Sequence, residues 1–491
     1  MEYQAVTIYT DQGHASMDFF FDPRGVAVVG ASDNQAKGGF HLFRNIAQSY
    51  RGPVYPVNPR LKSVMGVDCY PDVASIPHDL DLVVFFVPAP NLPDVIRQSA
   101  TKGVRGIIVE SAGFAEVGPQ GRKLQEECPV LARERGIRLW GPNCMGLLDA
   151  HRRHVFSFMY TDAWKTLLKP GNVSMVVQSG MLSAGFLMMI LERGLIDINK
   201  MCSIGNKCDV NETELLAHLV DDPLTGVIGM YVESIVEPRR FLDLVSGTDK
   251  PVVVVKGGRS PKGAQAAMSH TASLASDHAI VSSALRQAGA VEVTDVNELM
   301  DVLRGFSKTL ECCTDTSGGT AVVTFSGGGG IVTTDLMHDM GLELARLSPE
   351  TLGAMKAVYP PWMDPANPAD IWPAIEHSGP REVYGTVLKA VMEDPGVDSV
   401  ILHLFASMID GAMFADLARA KEEMGKPVVA WIAGVGDRLK TLRRDLEELG
   451  IPTFDEMQRC VGVLAAIRRF HRRRRGGTGM LPGGSLRRAV P

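Results

Sequence analysis

The chain has 491 residues, of which 45% are hydrophobic, 22% charged and 7% aromatic. This length suggests about three domains, and the composition is typical of a folded protein and excludes the disordered and fibrous classes. No apolar run approaches the roughly 18 residues of a membrane span, and the first residues lack the features of a signal peptide. We therefore expect a cytoplasmic protein without a membrane partner. The eight cysteines show no paired CxxC spacing, so neither a disulfide framework nor a metal site is predicted.

The net charge of −6 hides an uneven distribution of charge along the chain. Residues 468–491 contain eight arginines and no acidic residue, so the rest of the chain is acidic. Such a run could bind nucleic acid or an acidic partner, but solvated tails are the more common occurrence. We predict a basic, disordered tail over residues 468–491 and no nucleic-acid partner.

Apolar runs alternate with amphipathic stretches from Arg24 onward, which is the pattern of βαβ units around a parallel sheet. The runs are GVAVVGAS, PVYPVNP, DLVVFFVPAP, GIIVESAG and IRLWGPN. They predict a Rossmann-like, nucleotide-type domain over residues 17–149.

The remainder of the chain contains an internal repeat. The runs NVSMVVQSG, GVIGMYVES, KPVVVVKGG and AVEVTD correspond in order to TAVVTFSGG, DSVILHLFA, KPVVAWIAG and IPTFD. Each copy places Ser-Gly after its first run, at Ser179-Gly180 and at Ser326-Gly327. The repeat predicts two flavodoxin-like, doubly wound parallel-sheet domains over residues 150–310 and 318–467.

The first copy of the repeat is longer than the second after one of its strands. The interval from Pro251 to Gly289 exceeds that from Pro427 to Gly450 by 15 residues, around GGRSPKGAQAAMSHTASLASD. This insertion follows the carboxyl end of a strand, where ligands bind in open parallel sheets. We therefore expect the insertion to carry function.

The strand ends of the first domain predict a phosphorylated ligand. Gly30 ends the first strand and Gly38-Gly39 opens a helix, an arrangement that suits either a phosphate on backbone amides or a plain turn. The second strand leads to Asn58, Arg60 and Lys62, without the acidic residue that an NAD site usually has. Cations there favour a phosphorylated ribose, which leaves both NADP and CoA open. Later strand ends that would close around the ligand are at Pro88, Pro142 and Asn143.

Gln178-Ser179-Gly180 lies between a strand and an apolar stretch that resembles a helix. The serine hydroxyl and the first helical amides would then face an anion such as inorganic phosphate or a phosphorylated group. The corresponding turn of the second copy runs from Ser326 to Gly330. It is either a structural remnant of the repeat or the start of a second helix whose dipole points to the same anion.

His270 lies in the insertion among small residues, where little apolar surface is available to bury an imidazole. A neutral imidazole can act as a nucleophile toward phosphorus, and a carboxylate is needed to fix its tautomer. Glu233, at the end of the run GMYVES, is the natural candidate for that carboxylate. The alternative is that His270 is an ordinary histidine of the surface or of the core.

Taken in order, GAS, VNPR, FVPAP, GPNC, VVQSG, YVES and KGGRSPKGAQAAMSHTASLA resemble the nucleoside-diphosphate-forming acyl-CoA synthetases, and more distantly the succinyl-CoA synthetase alpha subunit. The resemblance covers roughly residues 17–470, and its most specific part is the block from Lys256 to Ala275, which resembles a phosphohistidine loop. Two departures are Ala272, where Gly is usual, and the run Gly327 to Gly330, where Gly-Gly-Pro-Gly is common.

The resemblance implies a role for each matching residue. His270 takes the position of the phosphorylated histidine, Glu233 that of the glutamate that steadies it, and Ser179 and Gly180 that of the phosphate-binding turn. The CoA positions fall on Gly30, Ser32, Asn58, Arg60, Pro88, Pro142 and Asn143. The implied reaction converts acyl-CoA, phosphate and ADP into carboxylic acid, CoA and ATP through an acyl phosphate and phospho-His270.

The resemblance also implies an ATP-grasp domain for the nucleotide, and neither such a domain nor a Walker-type GxxxxGK[ST] is found in this sequence. We therefore expect a hetero-oligomer in which a separate ATP-grasp beta-type subunit holds ATP or ADP with Mg²⁺, and a small carboxylic acid or acyl-CoA as substrate. Two alternatives are an NADP-dependent oxidoreductase and a non-catalytic acyl-CoA-binding regulator.

Overall fold

The computed structural model describes residues 17–271, 277–310, 312 and 318–476, which form three successive α/β domains. Each domain is built on a sheet whose central strands are parallel and buried. The predicted fold class is thereby confirmed. None of the helices in these ranges is both long and apolar enough to cross a membrane.

The first domain contains a five-stranded parallel sheet in the order β2-β1-β5-β6-β7, with a separate β3-β4 hairpin. Its strands are β1 (Val26–Val29), β2 (Val54–Val57), β3 (Ser63–Val64), β4 (Val67–Asp68), β5 (Leu82–Phe85), β6 (Gly106–Val109) and β7 (Arg138–Trp140). Its helices are α1 (Asp18–Phe21), α2 (Gly38–Ser49), α3 (Leu92–Ala100) and α4 (Pro119–Arg133), with 3-10 turns at Ala89–Asn91 and Ala115–Val117.

The strands β1, β5 and β6 of this sheet are buried along their whole length because both faces are covered. Val26 and Val28 of β1 belong to one hydrophobic cluster, whereas Ala27 and Val29 belong to another on the opposite face. Successive side chains of a strand point to opposite faces, so a strand buried on both sides is a continuous apolar run.

The second domain has a seven-stranded sheet in the order β14-β13-β12-β10-β11-β8-β9. Its strands are β8 (Leu147–Asp149), β9 (His154–Phe156), β10 (Pro170–Val177), β11 (Ile198–Ser203), β12 (Val227–Val232), β13 (Val252–Lys256) and β14 (Val291–Val293). Its helices are α5 (Trp164–Leu167), α6 (Gly180–Arg193), α7 (Glu212–Asp221), α8 (Pro238–Gly247), α9 (Pro261–Thr271), α10 (His278–Ala288) and α11 (Val296–Thr309).

The third domain has a five-stranded parallel sheet in the order β16-β15-β17-β18-β19. Its strands are β15 (Gly319–Thr324), β16 (Ala369–Asp370), β17 (Val397–Phe405), β18 (Val428–Ala433) and β19 (Thr453–Phe454). Its helices are α12 (Gly327–Asp339), α13 (Pro349–Lys356), α14 (Trp372–Ser378), α15 (Pro380–Glu393), α16 (Ala415–Met424), α17 (Gly436–Glu448) and α18 (Met457–Gly476), with a 3-10 turn at Gly411–Phe414.

The five parallel strands of the second domain and those of the third follow one order, 2-1-3-4-5 within each copy, which is the flavodoxin-like arrangement. The internal repeat thus has the topology that the sequence predicts. The extra length of the first copy includes α9, which follows β13, whereas the single helix α17 connects β18 to β19.

Two of the expected domain boundaries differ from the structure. Residues 147–149 were expected in the first domain, but as β8 they pair antiparallel with β11 of the second sheet. The basic segment expected as a tail from residue 468 is helical as far as Gly476, in α18. The helix continues because Ile467 and Phe470 are buried, with the Phe470 ring 5.3 Å from that of Phe306. Residues 477–491 of the expected tail lie outside the described residues.

The first and second domains are held together by buried polar contacts. Asn45 of α2 donates hydrogen bonds of 2.9 and 2.8 Å to the carbonyl oxygens of Ser157 and Met159, which follow the β8-β9 hairpin. The indole nitrogen of Trp140 donates to the carbonyl oxygen of Ser203 at 2.6 Å. These bonds fix the carboxyl ends of the two sheets relative to one another.

The second and third domains are joined through Arg304 of α11. Its guanidinium lies 4.4 Å from the ring centroid of Phe454 and donates a 2.7 Å hydrogen bond to the carbonyl oxygen of Thr453. The side chain is nearly fully buried and also pairs with Glu447 at 3.5 Å. Breaking a buried pair of this kind is costly, so this junction is also well defined.

Candidate active site

A cavity of about 490 Å³ lies between the first and second domains, within the size range of small-molecule sites. One wall comes from the carboxyl ends of β5 and β6, and the other from the first turn of α6. The predicted residues that line it are Pro88, Asn143, Gln178, Ser179 and Gly180. The structure therefore brings strand ends of the first domain together with the predicted phosphate turn of the second.

The end of β1 lies beside this cavity and has a backbone that only glycine fits. Gly30 has φ of +97°, and a Cβ there would collide with the carbonyl of Phe86, a residue of the cavity wall. A Cβ at Gly39 would in turn collide with the carbonyl of Gly30. These close approaches require glycine at both positions and pack the start of α2 tightly against the end of β1, as in a nucleotide-type turn.

The predicted cations of the first domain lie along the same sheet edge, away from the cavity lining. The Asn58 side chain donates to the carbonyl of Ala31 at 2.9 Å and accepts the Arg60 amide at 3.0 Å. The side chains of Arg60 and Lys62 are exposed, and the hydroxyl of Ser32 accepts the Asn34 amide at 3.1 Å. Because the cations lie away from the cavity, this arrangement suits an elongated ligand, with a phosphate far from the end that enters the cavity, better than a compact one.

The segment Gly141-Pro142-Asn143 connects the two walls. Asn143 has a left-handed backbone with φ of +56°, and its amide side chain faces Asn206 at 3.4 Å. Pro142 is buried and does not line the cavity, but its carbonyl accepts the Asn206 amide at 2.8 Å. Pro142 is thus connected to the cavity wall through its backbone, and Asn143 belongs to that wall.

Ser179 is the N-cap of α6, as predicted for a phosphate turn. Its hydroxyl accepts the Leu182 amide at 3.4 Å, while Gly180 and Met181 open the helix on the cavity wall. The first amides of a helix have no carbonyl partner within the helix, and together with the helix dipole they favour an anion. This turn can therefore hold phosphate.

The corresponding turn of the third domain is already occupied by a carboxylate of the chain. Ser326 caps α12 by accepting the Gly329 amide at 3.2 Å. A Cβ at Gly327 would lie 2.9 Å from Oδ2 of Asp370, which places that carboxylate at the helix start. After β11, the strand that corresponds to β16, the cavity is lined by Gly205 and Asn206 instead. This contrast favours the structural alternative for the second turn.

Glu233 directly follows β12 and is 7% exposed. Its backbone amide donates to Oε1 of Gln178 at 2.7 Å, which connects it directly to the cavity wall. The hydroxyl of Tyr231 donates to Oε1 of Glu233 at 3.4 Å, and burial raises the pKa of that tyrosine to about 12. A Cβ at Gly257 would lie 3.3 Å from Cγ of Glu233, so the glutamate contacts the segment that leads into α9.

Two buried lysines accompany Glu233. Lys207 pairs with Glu212 at 2.7 Å and donates to the carbonyl of Ser234 at 2.6 Å. Burial lowers the pKa of both Lys207 and Lys256, and the Glu233 carboxylate opposes that change in each. The cluster therefore couples the charge of Glu233 to two cations beside the cavity.

His270 belongs to α9, and its side chain lies outside the described residues, as do Ala272 and the rest of 272–276. The helix itself packs against the 3-10 turn at Ala115–Val117. That turn is fixed by Glu116, which accepts the Gly113 amide at 2.6 Å and the Asn206 side chain at 2.6 Å. Since Asn206 lines the cavity, α9 packs on a turn that is hydrogen-bonded to the cavity wall. No cluster that could hold a metal ion occurs among the described residues.

Several lining residues were not predicted from the sequence. The largest surprise is Glu110, directly after β6, which is 3% exposed. The other unpredicted members of the wall are Phe86, Val87, Ser111, Ala112, Cys144, Met145, Phe158, Met181, Gly205 and Asn206. A polar residue at the end of the run GIIVES was the only sequence signal for Glu110.

Three family models match successive segments of the chain. A CoA binding domain matches residues 24–150, a succinyl-CoA ligase-like flavodoxin domain matches 170–306, and a ligase-CoA domain matches 320–476. These segments correspond to the three domains seen in the structure, except that the first segment extends over β8 of the second sheet.

Relatives match over nearly the whole chain. ADP-forming acetate–CoA ligase II of Archaeoglobus fulgidus is 36% identical over 93% of this chain and 67% of that protein. The alpha subunit of ADP-forming acetate–CoA ligase II of Pyrococcus furiosus is 33% identical over 92% of this chain and 97% of that subunit. The dinucleotide-forming acetyl-CoA synthetase 1 of Ca. Korarchaeum cryptofilum, solved with phosphate and ADP, has a TM-score of 0.84 at 31% identity, covering 94% of this chain and 98% of that chain.

The fold, the CoA-type domain and these matches define an acid–thiol ligase. The chain belongs to the family of the ADP-forming acetate–CoA ligases, related to succinyl-CoA synthetase. The resemblance recognised in the sequence is confirmed, and neither the oxidoreductase nor the regulator is favoured.

Proposed function

We propose that this chain binds CoA, holds phosphate and carries the phosphoryl group in an ADP-forming acyl-CoA synthetase. The observation that carries the proposal is the cavity in which the strand ends of a CoA-type domain meet the open start of α6 at Ser179-Gly180. A thioester at the first wall and phosphate at the second would be adjacent, which is what their reaction needs.

The proposed first step joins phosphate to the acyl group. A phosphate oxygen attacks the thioester carbonyl, the new C–O bond replaces the C–S bond, and the released thiolate takes a proton to give CoA. The amides at Gly180 and Met181 stabilise the negative charge of the phosphate throughout. The product is an acyl phosphate that is still held at the start of α6.

In the second step, an imidazole nitrogen of His270 attacks phosphorus, so that a P–N bond forms and the P–O bond to the acyl group breaks. The leaving group is the carboxylate anion of the free acid. Glu233 accepts a hydrogen bond from the other imidazole nitrogen and thereby fixes the reactive tautomer. The support for this pairing is that Glu233 touches both Gln178 and the segment leading into α9.

The phosphoryl group then passes to ADP on an ATP-grasp subunit, where Mg²⁺ would accompany the nucleotide. The support is that the chain matches 97% of a relative that is called an alpha subunit, and the solved relative contains ADP. The enzyme would thus be a hetero-oligomer acting on a small carboxylic acid. Its free cysteines agree with a reducing, cytoplasmic setting.

Ligand titration tests the proposed function. By calorimetry of the full-length chain, we expect CoA to bind and NADP to bind at least tenfold more weakly. The physical reason is that the pantetheine arm of CoA can reach the cavity from the exposed cations, whereas NADP has no thiol to place there. Preferential binding of NADP would instead support the oxidoreductase.

Replacing Arg60 by Ala should weaken CoA binding about tenfold. We propose that Arg60 and Lys62 contact the 3′-phosphate, and a charge-assisted hydrogen bond contributes roughly 1.5 to 3 kcal/mol. Dephospho-CoA lacks that phosphate, so its affinity should change little. The matched control is Arg51→Ala, an exposed arginine that precedes β2 at the opposite end of the strand. Equal losses for CoA and dephospho-CoA would show that Arg60 acts through fold stability.

A further inference from the structure

Helix α9, which carries His270, extends from the second domain to the first. It follows β13 of the second sheet, and the segment that leads into it contacts Glu233, since a Cβ at Gly257 would lie 3.3 Å from Cγ of that glutamate. The helix then packs on the 3-10 turn at Ala115–Val117, which connects β6 to α4 in the first domain. The placement of α9 relative to the cavity therefore depends on how firmly that turn is held.

Glu116 holds this turn from within. Its Oε1 accepts the backbone amides of Gly113 and Phe114 at 2.6 and 3.0 Å. Burial alone would raise the pKa of this half-buried carboxyl, but the hydrogen bonds from the two amides, together with one from Asn206, lower it below its usual value. Glu116 is therefore an ionised acceptor of hydrogen bonds, and it does not line the cavity itself.

The second carboxyl oxygen of Glu116 binds a residue of the other domain. Oε2 accepts Nδ2 of Asn206 at 2.6 Å, and the same nitrogen donates to Oε1 of Gln125 on α4 at 2.9 Å. Asn206 follows β11 of the second sheet and lines the cavity. A primary amide has two N–H groups, so both donors of Asn206 are engaged with the first domain. This side chain thus joins the two domains rather than donating to a ligand.

The residue after Asn206 is anchored beside the end of β12. The side chain of Lys207 is 5% exposed, and its ammonium group donates to the carbonyl of Ser234 at 2.6 Å. Ser234 directly follows Glu233 in the chain. The turn after β11 is therefore bound on one side to the support of α9 and on the other side to the neighbour of Glu233. The proposed reaction requires Glu233 and His270 to meet, so a common support for both is significant.

We propose that Glu116 is a positioning residue for phosphoryl transfer, which fixes α9 against the cavity wall through its hydrogen bond to Asn206. Because of this bond, the helix that carries the histidine and the strand end that carries Glu233 have one common support. Asn45 and Trp140 hold the two domains together elsewhere, so loss of the bond should displace α9 and leave the cavity in place. This inference rests on the proposed function, because it assumes that α9 carries the phosphoryl acceptor.

The test uses Glu116→Gln in the full-length chain. In either orientation of the new amide, its NH2 group faces a donor, which is Nδ2 of Asn206 or the backbone amides of Gly113 and Phe114. We expect amide hydrogen exchange in residues 261–271 to be about fivefold faster than in the wild type. Phosphorylation from acetyl-CoA and radiolabelled phosphate, with and without an ATP-grasp subunit, should be at least about tenfold slower. The affinity for CoA by calorimetry should stay within about twofold, since Glu116 does not line the cavity. The matched control is Glu126→Gln, an exposed position on α4, which should equal the wild type in all three measurements.

A double variant, Glu116→Gln with Asn206→Asp, tests the bond itself. It restores a donor and an acceptor in the reverse direction, whereas Asn206→Asp alone places two carboxylates together. Both variants carry the same change in the cavity wall, so the difference between them reports the contact with position 116. We expect the double variant to be phosphorylated about fivefold faster than Asn206→Asp alone.

The outcomes separate this inference from the proposed function. Wild-type exchange in α9 or a wild-type rate of phosphorylation in Glu116→Gln would overturn the assignment of Glu116, and so would a double variant no faster than Asn206→Asp. Loss of CoA binding in Glu116→Gln would also overturn it, because Glu116 would then support the fold as a whole. Failure of the wild-type chain itself to bind CoA or to become labelled would overturn the proposed function and this inference with it.

Discussion

A chain with His270 replaced by Asn is expected to take up no label when it is incubated with acetyl-CoA and radiolabelled inorganic phosphate. The wild-type chain should acquire a label that is labile to acid and stable to base, as a phosphoramidate is. Asparagine preserves a polar side chain of similar reach but has no nucleophilic nitrogen, so loss should be complete. The measurement is the radioactivity retained on the denatured chain after acid and base treatment.

The matched control for this experiment is His278→Asn, which alters the first residue of α10 a short distance along the chain. That variant should label like the wild type. Label in His270→Asn at the wild-type level would show that another group receives the phosphoryl. The reaction is run with and without an ATP-grasp subunit, because the subunit could be required to complete the site.

A chain with Glu233 replaced by Gln should bind CoA within about twofold of the wild type and become phosphorylated about 100-fold more slowly. Glutamine keeps the size of the side chain but removes the charge that orients and stabilises the imidazole. It also removes the carboxylate that raises the pKa of Lys207 and Lys256, so both lysines would hold their protons less firmly. Binding is measured by calorimetry and phosphorylation by label uptake in one preparation.

Glu237→Gln serves as the comparison, since Glu237 follows the same strand but pairs with Arg240 at 3.2 Å and accepts from Asn211 at 3.1 Å. Its phosphorylation rate should stay near the wild-type rate. If Glu233→Gln were phosphorylated as fast as the wild type, Glu233 would be an ordinary strand-end residue, and the orienting partner of the histidine would have to be sought elsewhere.

The fold was predictable because its strands are buried on both faces. Such strands read as continuous apolar runs, and the internal repeat then supplied the strand order of two domains from one pattern. The β8-β9 hairpin was not predictable, because its antiparallel pairing with β11 joins segments about 50 residues apart through a short, polar sequence. In α18, the arginines around Phe470 concealed the apolar positions that hold the helix against α11.

The candidate site was predictable where local backbone geometry requires a particular residue. Gly30 and Ser179 stand at a strand end and at a helix start, and both features can be recognised from a few neighbouring residues. Glu110 and Asp370 could not be assigned in this way. What matters for Glu110 is that it is buried in the wall of the cavity, and for Asp370 that it lies at the start of α12. Both facts depend on residues distant in sequence.

The junction between the first two domains has a consequence for how substrate range can change. Asn45 and Trp140 fix the two walls through buried hydrogen bonds to Ser157, Met159 and Ser203. A bulkier acid cannot be accommodated by parting the domains without breaking those bonds. New substrates would therefore have to be gained by exchanging side chains on the walls themselves, which makes the lining positions, rather than hinge segments, the sites at which to diversify this scaffold.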